Sequence, residues 1–222
     1  MAVRAHAVRL SFALLLASGL AARTPAAQAG ALGAQLGMDR SGIDGDTPPN
    51  AEYTDKIGLI AGIQGEIGFS RDLLLSLQPS FVQKRSGLLR APTTRGGPTT
   101  ELDLSFDYFS VPMLVKFAKA GGRTYFAGGV TADFLTAVTL SGQGSDQDVK
   151  SAFSSTGLGA VLGFGVVFPA GRTRFTTELR FVQGISNMAK GTVAEATGAL
   201  APRLHSSGLQ LIVGNLIPVG QP

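Results

Sequence analysis

The sequence predicts an all-β fold: an eight-stranded antiparallel up-and-down transmembrane β-barrel. Three observations predict it. Apolar side chains recur with period two over long stretches, with glycines and charges on the opposite face. The connections between those stretches alternate long, short, long, short along the chain. The composition is hydrophobic overall, with only 15% charged residues and positive mean hydropathy. Yet beyond the N-terminus no apolar run reaches the ~18 residues of a spanning helix.

Period-two alternation marks a strand with a different environment on each side. A soluble sandwich turns its bulky face inward and its charges to water. A small membrane barrel does the reverse, with bulky residues against lipid and small or charged ones in the lumen. The connection lengths choose between them. Up-and-down membrane barrels have tight turns at one end and long loops at the other, a pattern Greek-key sandwiches have no reason to follow.

Residues 1–29 read as a secretory signal. Arg4 and Arg9 form the charged start, Leu10–Leu20 the apolar run, and Ala27-Gln28-Ala29 a small-x-small cleavage site. The barrel domain is then 30–222. With Arg4, Arg9 and Arg23 in the leader, the remaining charge is nearly balanced and no basic stripe is interleaved with aromatics, so nucleic acid is not an expected partner. Cysteine is absent, which excludes disulfides and thiolate metal sites.

The strands follow in order. Ala31–Met38 alternates Leu32, Ala34, Leu36 and Met38 against Gly33, Gln35 and Gly37. Asp39–Asp55 reads as a long polar loop. Its Asp39, Asp44 and Asp46 lack a full calcium-loop signature. Lys56–Phe69 sets Ile57, Leu59, Ala61, Ile63, Ile67 and Phe69 against Gly58, Ile60, Gly62, Gln64, Glu66 and Gly68. After the turn Ser70-Arg71-Asp72, Leu73–Lys84 sets Leu73, Leu75, Leu77 and Phe81 against Ser76, Gln78, Ser80 and Lys84. Pro79 interrupts it and belongs at a bulge or unpaired position, because proline cannot donate to the ladder.

Arg85–Glu101 reads as the second long loop. In Leu102–Phe117 the apolar parity switches between Tyr108 and Phe109, which predicts a bulge there. Lys119–Gly122 is a short turn. Arg123–Val138 places Phe126, Val130, Phe134 and Val138 opposite Tyr125, Gly129, Thr131 and Asp133. Leu140–Ala152 reads as the third long loop. The hairpin Thr156–Phe181 turns at Pro169–Arg172, with Leu158, Leu162, Phe164, Phe175, Leu179 and Phe181 opposite Gly157, Gly159, Gly163, Gly165, Arg174, Glu178 and Arg180. Ile185–Leu204 is the fourth long loop, with a helical turn expected at Val193–Ala199. His205–Ile217 is the last strand.

In hydrocarbon every backbone N–H and C=O must be paired within the protein, so eight strands must close into a ring. At this strand number the interior holds only side chains. Lumen-facing Glu66, Lys84, Lys116, Glu178 and Arg180 are therefore expected to pair with one another as a structural plug, since isolated charges there are costly. The aromatics Phe69, Phe81, Phe106, Tyr108, Phe117, Tyr125, Phe168, Phe175 and Phe181 lie near strand ends, where interfacial girdles belong.

Several stretches resemble the PorT-like outer-membrane β-barrel domain family. They are Leu77–Lys84 with Gly87, Phe109–Phe117, the Gly128-Gly129 strand and Gly157–Gly165. Pro79 and Pro112 fall where that family tends to carry prolines. The resemblance implies an eight-stranded barrel in the outer membrane of a diderm bacterium, with membrane lipid and the barrel-assembly machinery as partners. Such barrels often end in an aromatic; this chain ends Leu216-Ile217-Pro218-Val219-Gly220-Gln221-Pro222.

Catalytic signals are few. His205 and Ser207 share a face, and with Glu195 or Glu178 they would sketch the nucleophilic constellation of a lipid-modifying hydrolase. No cofactor loop or metal-ligand spacing is visible. The reading is a non-enzymatic outer-membrane barrel, structural or adhesive through its long loops. The alternatives are that hydrolase and a soluble periplasmic barrel around an apolar ligand.

Overall fold

The structure, a computed structural model, describes residues 30–45, 51–90, 100–142, 145–190 and 203–219. The leader, Asp46, Val193–Ala199 and Glu195 lie outside them. Among the described residues ten strand segments carry the fold: β1 (Gly30–Gly45), β2 (Ala51–Gly68), β3 (Leu73–Leu77), β4 (Ser80–Arg90), β5 (Thr100–Ala118), β6 (Thr124–Gly142), β7 (Ser145–Asp148), β8 (Thr156–Ala170), β9 (Thr173–Gly184) and β10 (Leu204–Val219).

All pairings are antiparallel and they close a ring. β1 pairs with β2 on one side and with β10 on the other, from Gly30↔Val219 to Gly45↔Leu204. Both β3 and β4 pair with β2 and with β5. The ring continues through β6, β8 and β9 back to β10. β7 folds back on β6 beyond the ring. The fold is an all-β antiparallel barrel, and closure leaves no strand edge for lipid to meet.

The side chains decide which face meets which solvent. Ile63, Leu162 and Leu179 point outward with 62%, 67% and 49% of their surface exposed, while Glu66, Glu178 and Arg180 are turned inward at 5%, 3% and 2%. An apolar exterior around a charged interior is the inverse of a soluble barrel. The soluble alternative fails on this face.

Both prolines sit at one interruption. Gln78 and Pro79 separate β3 from β4, opposite Val111 and Pro112 of β5. The gap is spanned by the Gln78 N–H donating to the Pro112 carbonyl (3.0 Å) and the Ile63 N–H donating to the Pro79 carbonyl (3.0 Å). At the β8–β9 hairpin the two-residue turn places Gly171 at φ 62°, the left-handed region that glycine reaches without a Cβ penalty.

Three expectations are corrected. The strands run well past the predicted loop boundaries: β1 continues to Gly45, β2 begins at Ala51, and β5 begins at Thr100. Nineteen residues of β5 at ~3.4 Å each, tilted about 45°, rise about 45 Å, far beyond an apolar band of about 25 Å. Above the lipid the outer face meets water, so alternation ends before the strand does.

The register shift near Tyr108 lies in the facing strand. Asp107 pairs with Ala137 and Tyr108 with Leu135, leaving Thr136 as the extra residue. β5 therefore keeps its parity, with Leu104, Phe106 and Tyr108 all inside, and it is β6 that switches, burying Leu135 and Val138. The sequence misleads because both sides of β5 are apolar here: lipid outside, a second core inside. That core gathers Ile43, Leu104, Phe106, Tyr108, Leu135, Val138, Phe153 and Leu204, with Phe153 edge-on to Phe106 at 4.9 Å.

Consequently Phe106 and Tyr108, and at the other end Tyr125, are interior rather than interfacial. The outward aromatics do form rows. Phe81, Phe109 and Phe134 stand in register. Next to them lie Gln83, whose Nε2 donates to Asp107 (3.4 Å), and Thr136, whose Oγ1 donates to the Asp107 carbonyl (2.8 Å). Phe69, Phe117, Phe168 and Phe175 are exposed near the short turns. Such rows belong where hydrocarbon gives way to headgroups.

Candidate functional site

The interior between the short turns and the second core is a column of charged and polar side chains. It is positioned by parity alone: each residue occupies an inward position of its strand. Lys116 of β5 donates from Nζ to Glu66 of β2 (2.9 Å), lies 3.4 Å from Glu178 of β9, and sits 4.6 Å from the centroid of the Tyr125 ring. Glu178 accepts from Arg180 Nε (2.9 Å) and Nη2 (2.7 Å) and from the Tyr125 hydroxyl (2.7 Å). Arg180 Nη2 also donates to Gln78 Oε1 (2.6 Å), and Gln78 Nε2 to Ser76 (2.9 Å). Arg174 lies 3.5 Å from the second oxygen of Glu66.

Of the five charges read from the sequence, Glu66, Lys116, Glu178 and Arg180 thus form one cluster. Lys84 stands apart, nearer the second core. Its ammonium donates to Asp133 (3.1 Å) and Ser206 (3.2 Å) and lies 5.0 Å from the Tyr108 ring centroid. Thr131 holds the other Asp133 oxygen (2.8 Å). Asp39 is buried nearby, with Oδ2 lacking a hydrogen-bond partner. Asp133, Tyr125, Gln78, Arg174 and Asp39 were missed as partners. Strand parity already put the first four on inward faces, but no sequence signal says which strands meet.

The column is neutral in sum and divided along its length. The cluster by the short turns holds Lys116, Arg174 and Arg180 against Glu66 and Glu178. The cluster by the second core holds Lys84 against Asp133 and Asp39. A small cavity of about 20 Å³ among Gln35, Lys84, Asp133, Val161, Arg180 and Gln210 has room for about one water. Packed side chains fill the interior at this level.

Glycine lets those side chains fit. A Cβ on Gly165 of β8 would come within 2.2 Å of the Tyr125 ring, so the ring lies directly against the β8 backbone. Gly165→Val is expected to displace Tyr125 from Glu178 and cost about 1–3 kcal/mol through overpacking. A lowered urea midpoint with unchanged slope would show it; an unchanged midpoint would contradict the packing argument.

Residues 26–190 match the family model described as outer membrane protein beta-barrel domain. The chain belongs to this family. It is an outer-membrane β-barrel protein. No curated protein matches the chain. Among solved structures it is similar to Ail, the attachment invasion locus protein of Yersinia pestis, in complex with the heparin analogue sucrose octasulfate. There the identity is 16%, over 85% of this chain and 99% of that one, with a TM-score of 0.45. It is also similar to OprG of Pseudomonas aeruginosa (12% identity, 88% and 97% coverage, TM-score 0.49) and to the neisserial surface protein NspA (13%, 83% and 97%, 0.45).

Among the described residues of this outer-membrane barrel Glu178 does not join His205 and Ser207; Glu195, the other acid considered, lies outside them. Glu178 is held by Arg180 and Tyr125 among the inward residues of β9. His205 pairs in register with Asp44 beyond the apolar band, and Ser207 with Gly42 and Gln183. Both share the outward parity of Leu209 and Leu211, and it is Ser206 between them that turns inward to Lys84.

Proposed function

We propose that this outer-membrane protein is a plugged, non-enzymatic barrel that carries a rigid platform for surface binding or adhesion. Counting β3 and β4 as one interrupted strand and leaving out β7, which folds back on β6 beyond the ring, the barrel has eight strands, in keeping with the resemblance to PorT-like barrels. Its short turns face the periplasm and its long connections the exterior, the arrangement usual for such barrels. Residues 1–29 are its export signal, and the barrel-assembly machinery inserts it into lipid.

The observation that carries this reading is the second core. A barrel serving only the membrane needs no apolar packing above it. Here the extended strands enclose eight buried apolar residues beyond the polar column. The 145–155 segment is tied down onto them: the Val149 N–H donates to Val138 (3.1 Å) and the Ser154 N–H to Met188 (2.8 Å). A recess of about 460 Å³ lies on this platform, lined by Asp148, Lys150, Ser151, Phe153, Ser155 and Lys190.

The test is adhesion of intact cells to a panel of extracellular polysaccharides and matrix proteins. Cells displaying the protein should adhere to at least one surface. A variant with Lys150 and Lys190 both changed to Glu should keep heat-modifiable gel mobility but lose that adhesion. Adhesion no greater than that of cells lacking the protein would reject the platform role. A steady single-channel conductance in planar bilayers would reject the plug.

A further inference from the structure

We propose that the short-turn mouth of the barrel is a binding cup for a small phosphate-bearing anion. A cavity of about 510 Å³ opens there, between the β2–β3, β5–β6 and β8–β9 turns. Its floor is the charged cluster by the short turns, where three cations meet two carboxylates. Lys116 and Arg174 both lean on the single carboxylate of Glu66, and Arg174 lies at the exit of that cluster, about a third exposed. The balancing acids, Asp133 and Asp39, belong to the other cluster, on the far side of Arg180.

The rim adds to this excess. Arg71, Lys119 and Arg123 line the same cavity, and among the described residues no ion pair engages them. Asp72, on the same turn as Arg71, accepts from the Ala120 N–H (2.9 Å), fastening one turn to the next, and its single charge leaves the three rim cations in excess. Partly desolvated positive charge with too few carboxylates is unfavourable, and an anion in the cup relieves it. The guanidinium groups of Arg71, Arg123 and Arg174 line the cavity and suit a phosphate, which offers oxygens to several donors at once. Walls of Leu74, Val167 and Leu216 leave room for a small organic body beside it.

This site lies at the opposite end from the surface platform and does not depend on it. In the orientation proposed above it opens to the periplasm, where the phosphate could belong to a soluble ester or to a lipid headgroup of the inner leaflet. Binding to purified protein is independent of that orientation.

The experiment is calorimetric titration of the full barrel, refolded in zwitterionic nanodiscs, with inorganic pyrophosphate at low ionic strength. Saturable binding is expected, about tenfold weaker in Arg174→Gln and in the rim double variant Arg71→Gln/Arg123→Gln, each losing charge-assisted hydrogen bonds. Arg172→Gln, which alters a base on a short turn but not in the cup, should bind as wild type. The rim variants change exposed turn residues, and heat-modifiable mobility verifies that they fold. Absence of saturable binding to wild type would overturn the proposal. So would equal loss in Arg172→Gln, which would mean diffuse charge attraction. Repeating the titration in phosphatidylglycerol nanodiscs separates the sources: competition assigns the cup to headgroups, and unchanged affinity assigns it to a soluble ligand.

Discussion

Glu178→Ala is expected to lower the stability of the folded barrel by about 3–5 kcal/mol, the usual cost of stranding a buried charge by removing its partner. The carboxylate accepts two hydrogen bonds from Arg180 and one from Tyr125, and it lies 3.4 Å from Lys116. Without it three cations share Glu66 alone. The control is Glu178→Ala/Arg180→Met, which removes a cation with the anion. It should recover more than half of the loss, because the remaining Lys116, Arg174 and Glu66 keep the former excess of one positive charge. Urea titration of protein folded in lipid vesicles measures both. A double variant no more stable than the single would show that packing, not charge balance, makes Glu178 necessary.

Leu162→Arg is expected to cost about 2–4 kcal/mol of folding free energy in a bilayer, the penalty for a cation on the lipid face near the midplane. Leu162 projects from β8 midway along the outward series from Leu158 to Phe168, level with Phe181 of β9. Its neighbour in sequence, Val161, points inward and packs with Leu114, Tyr125, Ala127 and Val182. The same arginine at Arg40's level would cost almost nothing, because the outer face there already carries the exposed Arg40–Asp55 pair. Comparing Leu162→Arg with Leu209→Arg, opposite Arg40 on β10, therefore maps the edge of the hydrocarbon. Equal penalties at the two positions would contradict the depth assignment.

How much could be read from the chain depended on whether the governing interaction is local. Alternation is local: Leu59 to Phe69 and Leu158 to Phe168 report the lipid directly, because each outward residue meets solvent and needs no partner. The inward parity of Glu66, Lys116, Glu178 and Arg180 follows from the same count. The limits of the strands did not follow, since above the membrane water bathes the outer face and the period-two contrast fades. Residues Arg40 to Gly45 therefore read as loop, although they continue β1 in register with β10. The bulge was placed one strand away for a related reason, as an extra residue in β6 and an apolar interior behind β5 produce the same change of pattern.

Partnership is the part that parity cannot supply. Lys116 meets Glu66 across 50 positions and Arg180 meets Gln78 across 102. Which inward charges share a level depends on the tilt and stagger of a closed sheet, a property of the whole ring. That is why Lys84, on the same inward face as Gln78, ends with Asp133 rather than with Glu178. The chain alone thus determined an outward apolar skin and a polar lining. Only closure of β1 on β10 decided that the lining divides into two oppositely charged clusters, because charges distant along the chain become neighbours through strand stagger, while lipid contact is written one residue at a time.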